Sequence, residues 1–265
     1  MPTPLDILLD PVSLIILGIY AVLMIWEAIF PGRKLPVMKG WRFRGLLAFT
    51  TFFYLSTYLP LIWDRYLEPL QLVNLQHLGV VTGSLIGILL YEFGVYIWHR
   101  CMHENAWLWR VFHQMHHSAE RIDTFGAFYF SPMDMMGWTA LSSICLTLFV
   151  GINPEAITIT VLLTTFLGMF QHANIKTPHW LGYIIQRPES HSVHHGKGIH
   201  QYNYSDLPIF DILYNTFKNP LDFQTETGFY PGASAQVVKM LMFKKIDVEL
   251  ESIDSNFTDI STAKL

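Results

Sequence analysis

Five apolar stretches punctuate the chain, at roughly residues 12–30, 43–63, 78–98, 135–151 and 154–170. A bilayer core takes about 20 helical residues, so the first three have spanning length and the last two are somewhat short. Gly151, Asn153 and Pro154 break the last two apart. That pair reads as a helical hairpin that dips into the membrane and returns to the same face. The pattern predicts an all-α integral membrane helical bundle of three to five membrane segments, a single domain over residues 1–265. After about Asn219 polar and apolar residues alternate, and residues 218–265 read as a cytosolic tail that caps the bundle.

Composition agrees with lipid as the solvent for much of the surface. Apolar residues make up 51% of the chain and charged residues only 14%, an unusual balance for a soluble protein. The net charge of -4 gives no sign of a nucleic-acid partner. Cys101 and Cys145 are the only cysteines, which excludes a disulfide framework and a thiolate zinc site.

The charges also suggest an orientation. Arg33, Lys34, Lys39, Arg42 and Arg44 lie between the first two apolar stretches with no acid among them, and no Lys or Arg precedes the first. The loop from Asp64 to His77 carries a single Arg65. The positive-inside rule then puts the 31–44 loop in the cytoplasm and the N-terminus on the far side. The first stretch lacks the basic leader of a secretory signal and reads as a retained anchor. The third stretch exits into the cytoplasm near His99, and the hairpin brings His172 back to that side.

Histidine changes the picture most. Twelve occur, nine of them within Trp98–Ser118 and Ser190–His200. His99 and His103 form an i, i+4 pair, which on a helix shares one face. His113, His116 and His117 form H-x-x-H-H, and His191, His194 and His195 repeat it. Eight imidazoles at helical spacing are more than one ion can use, so two metal ions are expected, in a histidine-rich di-metal cap on the cytosolic side. His172, ending the fifth stretch, is a ninth candidate ligand. His77 and His179 read as interfacial residues, and His200 is not counted among the ligands. All-imidazole donors suit Fe, Zn, Cu or Ni; a cluster this large at a lipid boundary fits iron that activates O₂.

Ligating imidazoles usually give their second N–H to a carboxylate or carbonyl. An acid inside a spanning helix is costly and marks function. Glu92 lies two helical turns before His99 with Tyr96 between them, so it is expected to support the histidines or relay protons.

With these motifs assembled, the chain resembles the fatty acid hydroxylase superfamily of sterol desaturases, lipid hydroxylases and alkylglycerol monooxygenase. The resemblance covers roughly Tyr91 to Thr216. It is carried by Trp98-His99-Arg100, by Phe112 to Ser118, by Gln171 to Ile175 and by His191 to His195, with a diverged closing segment at Asn203-Tyr204 and Phe210 to Phe217. It implies a catalytic region over 91–217 and a di-iron centre at the cytosolic mouth of a small bundle. It also implies a fatty acyl or sterol substrate and electrons from an external protein, a b-type cytochrome or a ferredoxin with its reductase. The membrane is expected to be a bacterial inner membrane or the endoplasmic reticulum. Carried over residue by residue, His99, His103, His113, His116, His117, His172, His191, His194 and His195 would be ligands, with Asn203 and Asp211 in support. Ser205 stands where the family usually has glycine and Phe210 where it usually has tryptophan, departures that bear on the substrate rather than the metals.

The expected reaction is hydroxylation, or desaturation, of an unactivated C–H bond. The rival from another class is a non-catalytic zinc-binding membrane scaffold or metal-handling protein. A transporter would place its ligands at mid-membrane across broken helices, whereas here all the candidates but Glu92 lie at or beyond one end of the helices.

Overall fold

The computed structural model describes residues 1–247. Helix α1 (Pro4–Leu9), opened by a Thr3–Asp6 capping box, runs into α2 (Pro11–Ile29), whose N-cap is Asp10. Then come α3 (Trp41–Leu67) with a 3₁₀ turn to Leu70, the two-residue strand β1 (Val73–Asn74) and α4 (Val80–Glu104). Helix α5 (Ala106–Leu108), a π-helical turn at Trp109–His113 and α6 (Gln114–His117) form one short helical run. Helix α7 (Pro132–Ser143) continues in π winding over Ile144–Phe149 and leads to β2 (Val150–Gly151). The rest is α8 (Pro154–His172), α9 (Pro188–His194), α10 (Pro208–Leu213) and α11 (Val237–Leu241). β1 and β2 make a minimal parallel pair.

Four helices, Pro11–Ile29, Trp41–Leu70, Val80–Glu104 and Pro154–His172, are long and apolar enough to cross a membrane. They expose large apolar side chains such as Leu14, Ile25, Leu47 and Leu85, which lipid rather than water can cover. The chain is a multi-pass membrane protein built as a helical bundle. The stretch expected at 135–151 differs. It begins earlier, at Pro132 behind the N-cap Ser131, and is not among the four apolar helices. Its polar positions face the bundle: Trp63 donates to Ser143 Oγ at 2.8 Å, and Thr147 to Asp64 at 3.2 Å.

Helices α4 and α8 approach each other closely. A Cβ added at Gly83 would stand 3.0 Å from Ala156 Cβ, and one at Gly87 2.7 Å from Thr160 Oγ1. Small residues let the two helices touch backbone to side chain, as membrane helices commonly do. Both helices then deliver histidines to the same end of the bundle.

That end is tied together by polar contacts. Glu27, in the last turn of α2, accepts from Thr124 N–H and Oγ and from Asn174 N–H at 2.8–3.0 Å. Trp41 Nε1 donates to Asp123 at 2.9 Å. The basic 31–44 loop grips the tail: Arg33 donates to the Gln224 carbonyl and Arg44 to the Ser234 carbonyl. Gln114 bonds Lys244 and Ile246 at 2.9 Å each. The described part of the tail therefore packs over the histidine end, and the remainder, 248–265, lies outside the described residues.

Candidate metal centre

The histidines come from four places. His99 and His103 close α4, His113 ends the π-helical turn, and His116 and His117 end α6. His172 ends α8, and His191 and His194 lie on α9 with His195 as its C-cap. Single-turn π elements recur at functional sites because they re-aim side chains within a helix. Here the π turn leads into α6 with its two adjacent imidazoles.

The nine candidates form two groups able to hold a metal ion. His99, His103, His113, His117 and His194 make one group, and His116, His172, His191 and His195 the other; within each, the donor atoms lie within 4.8 Å of one another. The i, i+4 pairs 99/103, 113/117 and 191/195 each stay together. The middle histidine of each H-x-x-H-H motif crosses over. His116 leaves its neighbour His117 for the second group, and His194 leaves His195 for the first. Successive residues of a helix point about 100° apart, which is what sends neighbours to different groups.

Hydrogen bonding shows whether these nitrogens fit a cation. His99 Nδ1 donates to the Tyr204 carbonyl at 2.7 Å and His113 Nδ1 to Asp134 at 3.0 Å. The carbonyl fixes the His99 proton on Nδ1 and leaves a lone pair at Nε2, and an ionised Asp134 does the same for His113. Yet the two Nε2 atoms face each other at 2.9 Å. A cation between such lone pairs removes the repulsion, and a proton on either ring would break a hydrogen bond or charge the pair. His194 is held alike, Nδ1 to the Tyr202 carbonyl at 2.7 Å, with Nε2 left unpaired. In the second group His172 donates to the Gly168 carbonyl at 2.6 Å, and its Nε2 lies 3.0 Å from both His116 Nε2 and His191 Nε2. Two nitrogens about 2.05 Å from one ion stand ~2.9 Å apart at 90° and ~3.3 Å apart at the tetrahedral angle. Four of the nitrogen pairs lie 2.9–3.1 Å apart, separations that two donors on one ion can adopt.

Burial suits neutral ligands. Eight of the nine are buried and His103 is half-buried. Burial first, and neighbouring imidazoles second, hold His113, His116, His117, His191, His194 and His195 well below the ordinary histidine pKa of 6.5. These groups stay neutral in the folded metal-free protein and become protonatable on unfolding, so the unfolded state binds more protons below that value. The metal-free protein should lose thermal stability as pH falls from about 7 to about 5. Melting curves across that range check the sign, and a flat or rising melting temperature would contradict it.

Asn203, Asp211 and Glu92 touch none of the nine imidazoles through their side chains. Asn203 donates to the Ser190 and Lys218 carbonyls at 2.8 and 3.0 Å. Asp211, whose carboxyl burial pushes up to about 6, accepts from the backbone N–H of Tyr204 and Ser205 at 2.9 and 3.0 Å. Glu92 accepts from Ser205 Oγ and the N–H of Asp206 and Leu207 at 2.9–3.2 Å. All three brace the 203–207 loop, whose Tyr204 carbonyl orients His99. The contacts that do reach the imidazoles include one that sequence reasoning weighed and left out of the ligand set, His200, whose Nδ1 lies 3.0 Å from His117 Nδ1, and others that it passed over. The latter are Asp134 and the Tyr202, Tyr204 and Gly168 carbonyls. Of those passed over, Asp134 alone left a signal, an acid among methionines at the head of an apolar stretch. His179 lies apart from both groups and donates to the Asn219 carbonyl at 3.0 Å.

A chamber of about 120 Å³ adjoins the histidines. His99 and His113 of the first group and His116, His172 and His191 of the second line it. Phe52, Phe128, Phe130 and Trp138 form an apolar wall, so anything inside it borders both groups.

A model of the fatty acid hydroxylase family matches residues 84–216, a stretch that contains all nine histidines. The chain belongs to the fatty acid hydroxylase family. Among its relatives is an ornithine lipid hydroxylase from Rhizobium tropici, 34% identical over 140 residues, 51% of this chain and 42% of that protein. A cholesterol 25-hydroxylase-like protein from Danio rerio is 27% identical over 163 residues, 57% and 53% of the two chains. A very-long-chain aldehyde decarbonylase from Oryza sativa is 28% identical over 157 residues, 53% and 24%. The chain thus aligns with about half or less of the length of these members of the family. No solved structure matches it.

Proposed function

We propose that this protein is a membrane-bound non-haem di-iron oxygenase that hydroxylates a lipid-like substrate with O₂ and electrons from an external redox protein. The observation that carries the reading is the pair of histidine groups, with ring nitrogens converging within 4.8 Å in each, beside an apolar chamber that borders both. Imidazole donors suit iron as they suit zinc, copper and nickel, and the hydroxylase relatives favour a redox metal. The relatives named for lipid or sterol hydroxylation and aldehyde decarbonylation support chemistry on long apolar molecules. The basic 31–44 loop at the histidine end supports a centre facing the cytoplasm, in a bacterial inner membrane or the endoplasmic reticulum.

His99, His103, His113, His117 and His194 would hold one ion, and His116, His172, His191 and His195 the other. Bound iron would supply the reductive activation of O₂, in which one oxygen atom enters a C–H bond and the other leaves as water, with two electrons from the donor protein and two protons from solvent. The Tyr202, Tyr204 and Gly168 carbonyls and the Asp134 carboxylate keep the protons of their histidines on Nδ1 and aim Nε2 inward. Phe128, Phe130 and Trp138 exclude water and place an alkyl chain against the imidazoles. Replacing Asp134 with alanine frees the His113 ring and should weaken metal binding by about 10- to 100-fold. Competition with a metal indicator measures this, and unchanged affinity would deny Asp134 that role.

Metal content and O₂ uptake test the whole reading, on protein purified without oxygen and reconstituted with ferrous iron and a chemical reductant. The expected result is two irons per chain and O₂ consumption that rises with added membrane lipid. Tightly held zinc, no exchange for iron and no O₂ uptake would move the protein to the scaffold class.

A further inference from the structure

A second, larger cavity of about 640 Å³ lies inside the bundle, within the ~300–1,000 Å³ range of small-molecule sites. It shares six lining residues with the histidine chamber: Phe52, Tyr91, Phe128, Trp138, Thr164 and Thr165. The two spaces are therefore neighbours across a common wall. Away from that wall the lining descends each helix in step, through Ser56, Pro60 and Asp64 on α3, Ser142 and Thr147 on α7 and its π-wound extension, and Val161 and Ile157 on α8. It ends among Pro2, Asp6 and Asp10, all exposed, at the end of the bundle opposite the histidines. From Phe52 to Asp64 the α3 helix advances ~18 Å, the reach of roughly 14 extended methylene units. No Lys or Arg lines the cavity, whereas Asp6, Asp10 and Asp64 do, so an anionic headgroup is disfavoured there.

We infer that the cavity is an acyl channel entered from the end opposite the histidines. A long-chain lipid lies along it with a neutral or cationic headgroup at the Asp6–Asp10–Asp64 mouth and the distal part of its chain beside the imidazoles. Resting on the oxygenase reading, the inference specifies its regiochemistry: oxygen enters the chain roughly a dozen or more carbons from the headgroup, not next to it. Ser56 and Ser142, small residues midway along the channel, set the length of chain that can pass.

Photolabelling reads the polarity directly. The probes are long-chain primary alcohols carrying a diazirine either beside the terminal methyl or beside the hydroxyl, bound to the full-length protein in detergent. The expected result is terminal-diazirine labelling at Phe52, Trp138 or Thr164, and hydroxyl-proximal labelling at Asp6, Asp10, Ser13 or Asp64, which line the cavity. The reverse polarity would overturn the inference. So would labelling confined to lipid-facing residues such as Leu14 and Val22. A Ser56→Trp, Ser142→Trp double variant should lose terminal labelling at Trp138 and keep labelling at the mouth; undiminished labelling at Trp138 counts against the channel. If that variant does not fold, the wild-type polarity decides alone. Labelling needs neither metal nor O₂. A chain that binds the probes with the expected polarity but yields no oxidised lipid therefore keeps the channel and refutes only the oxygenase reading.

Discussion

The His116→Ala variant should hold about one metal ion per chain instead of two, and its lipid oxidation should fall at least a thousandfold, ~4 kcal/mol of transition-state stabilisation. His116 is buried, with Nε2 3.0 Å from His172 Nε2 and its ring 4.6 Å from both Phe130 and His195. Its removal leaves three histidines in the second group and all five in the first. Stoichiometry and turnover should therefore separate: metal halves while activity vanishes, because the proposed reaction needs both ions. Elemental analysis with product quantification checks both numbers. Two tightly bound ions in the variant would show that His116 is not a ligand, and loss of both ions would show that the groups do not load independently.

A second large effect is expected at Glu92, on stability first and chemistry second. Its carboxylate is the acceptor for three donors on the 205–207 loop, with no exposure to solvent. Glu92→Ala leaves those donors without an acceptor, at about 1–3 kcal/mol for each one left unsatisfied. A total near 3 kcal/mol corresponds to a melting temperature lower by roughly 10 °C for a chain of this size. Glu92→Gln keeps an acceptor oxygen and should lose less than half as much stability. Because the same loop carries the Tyr204 carbonyl that orients His99, metal at the first group should also loosen in the alanine variant. Equal melting temperatures for wild type, Gln and Ala would remove the loop-anchoring role.

Much of the architecture was legible in the sequence, and the gaps have physical causes. Helical spacing made the 99/103, 113/117 and 191/195 pairs readable, because i, i+4 geometry is local. Hydropathy located four of the helices because lipid imposes length and apolarity together. The stretch near 135–151 was harder: its serines and threonines find polar partners inside the bundle, which lowers the apolar signal. Glu92 stood out as a buried acid, but its partners lie over a hundred residues away and no local rule names them. Asn203 and Asp211 came from resemblance, and their hydrogen bonds run to backbone groups far along the chain or in the 203–207 loop, which no local rule names. The backbone carbonyls that orient His99, His172 and His194 left no trace, since every residue has one.

The crossing of the middle histidines also fixes a distance. His116 and His117 are joined by a single peptide unit and serve different groups, as do His194 and His195; their rings sit 5.5 and 5.3 Å apart. The spacing between the two ion positions is thus gauged by covalent bonds, twice over, from separate segments of the chain. Both gauges lie on α6 and α9, outside the four membrane-crossing helices. A one-residue insertion after His116 should therefore change the spacing of the two groups and lower metal binding at both.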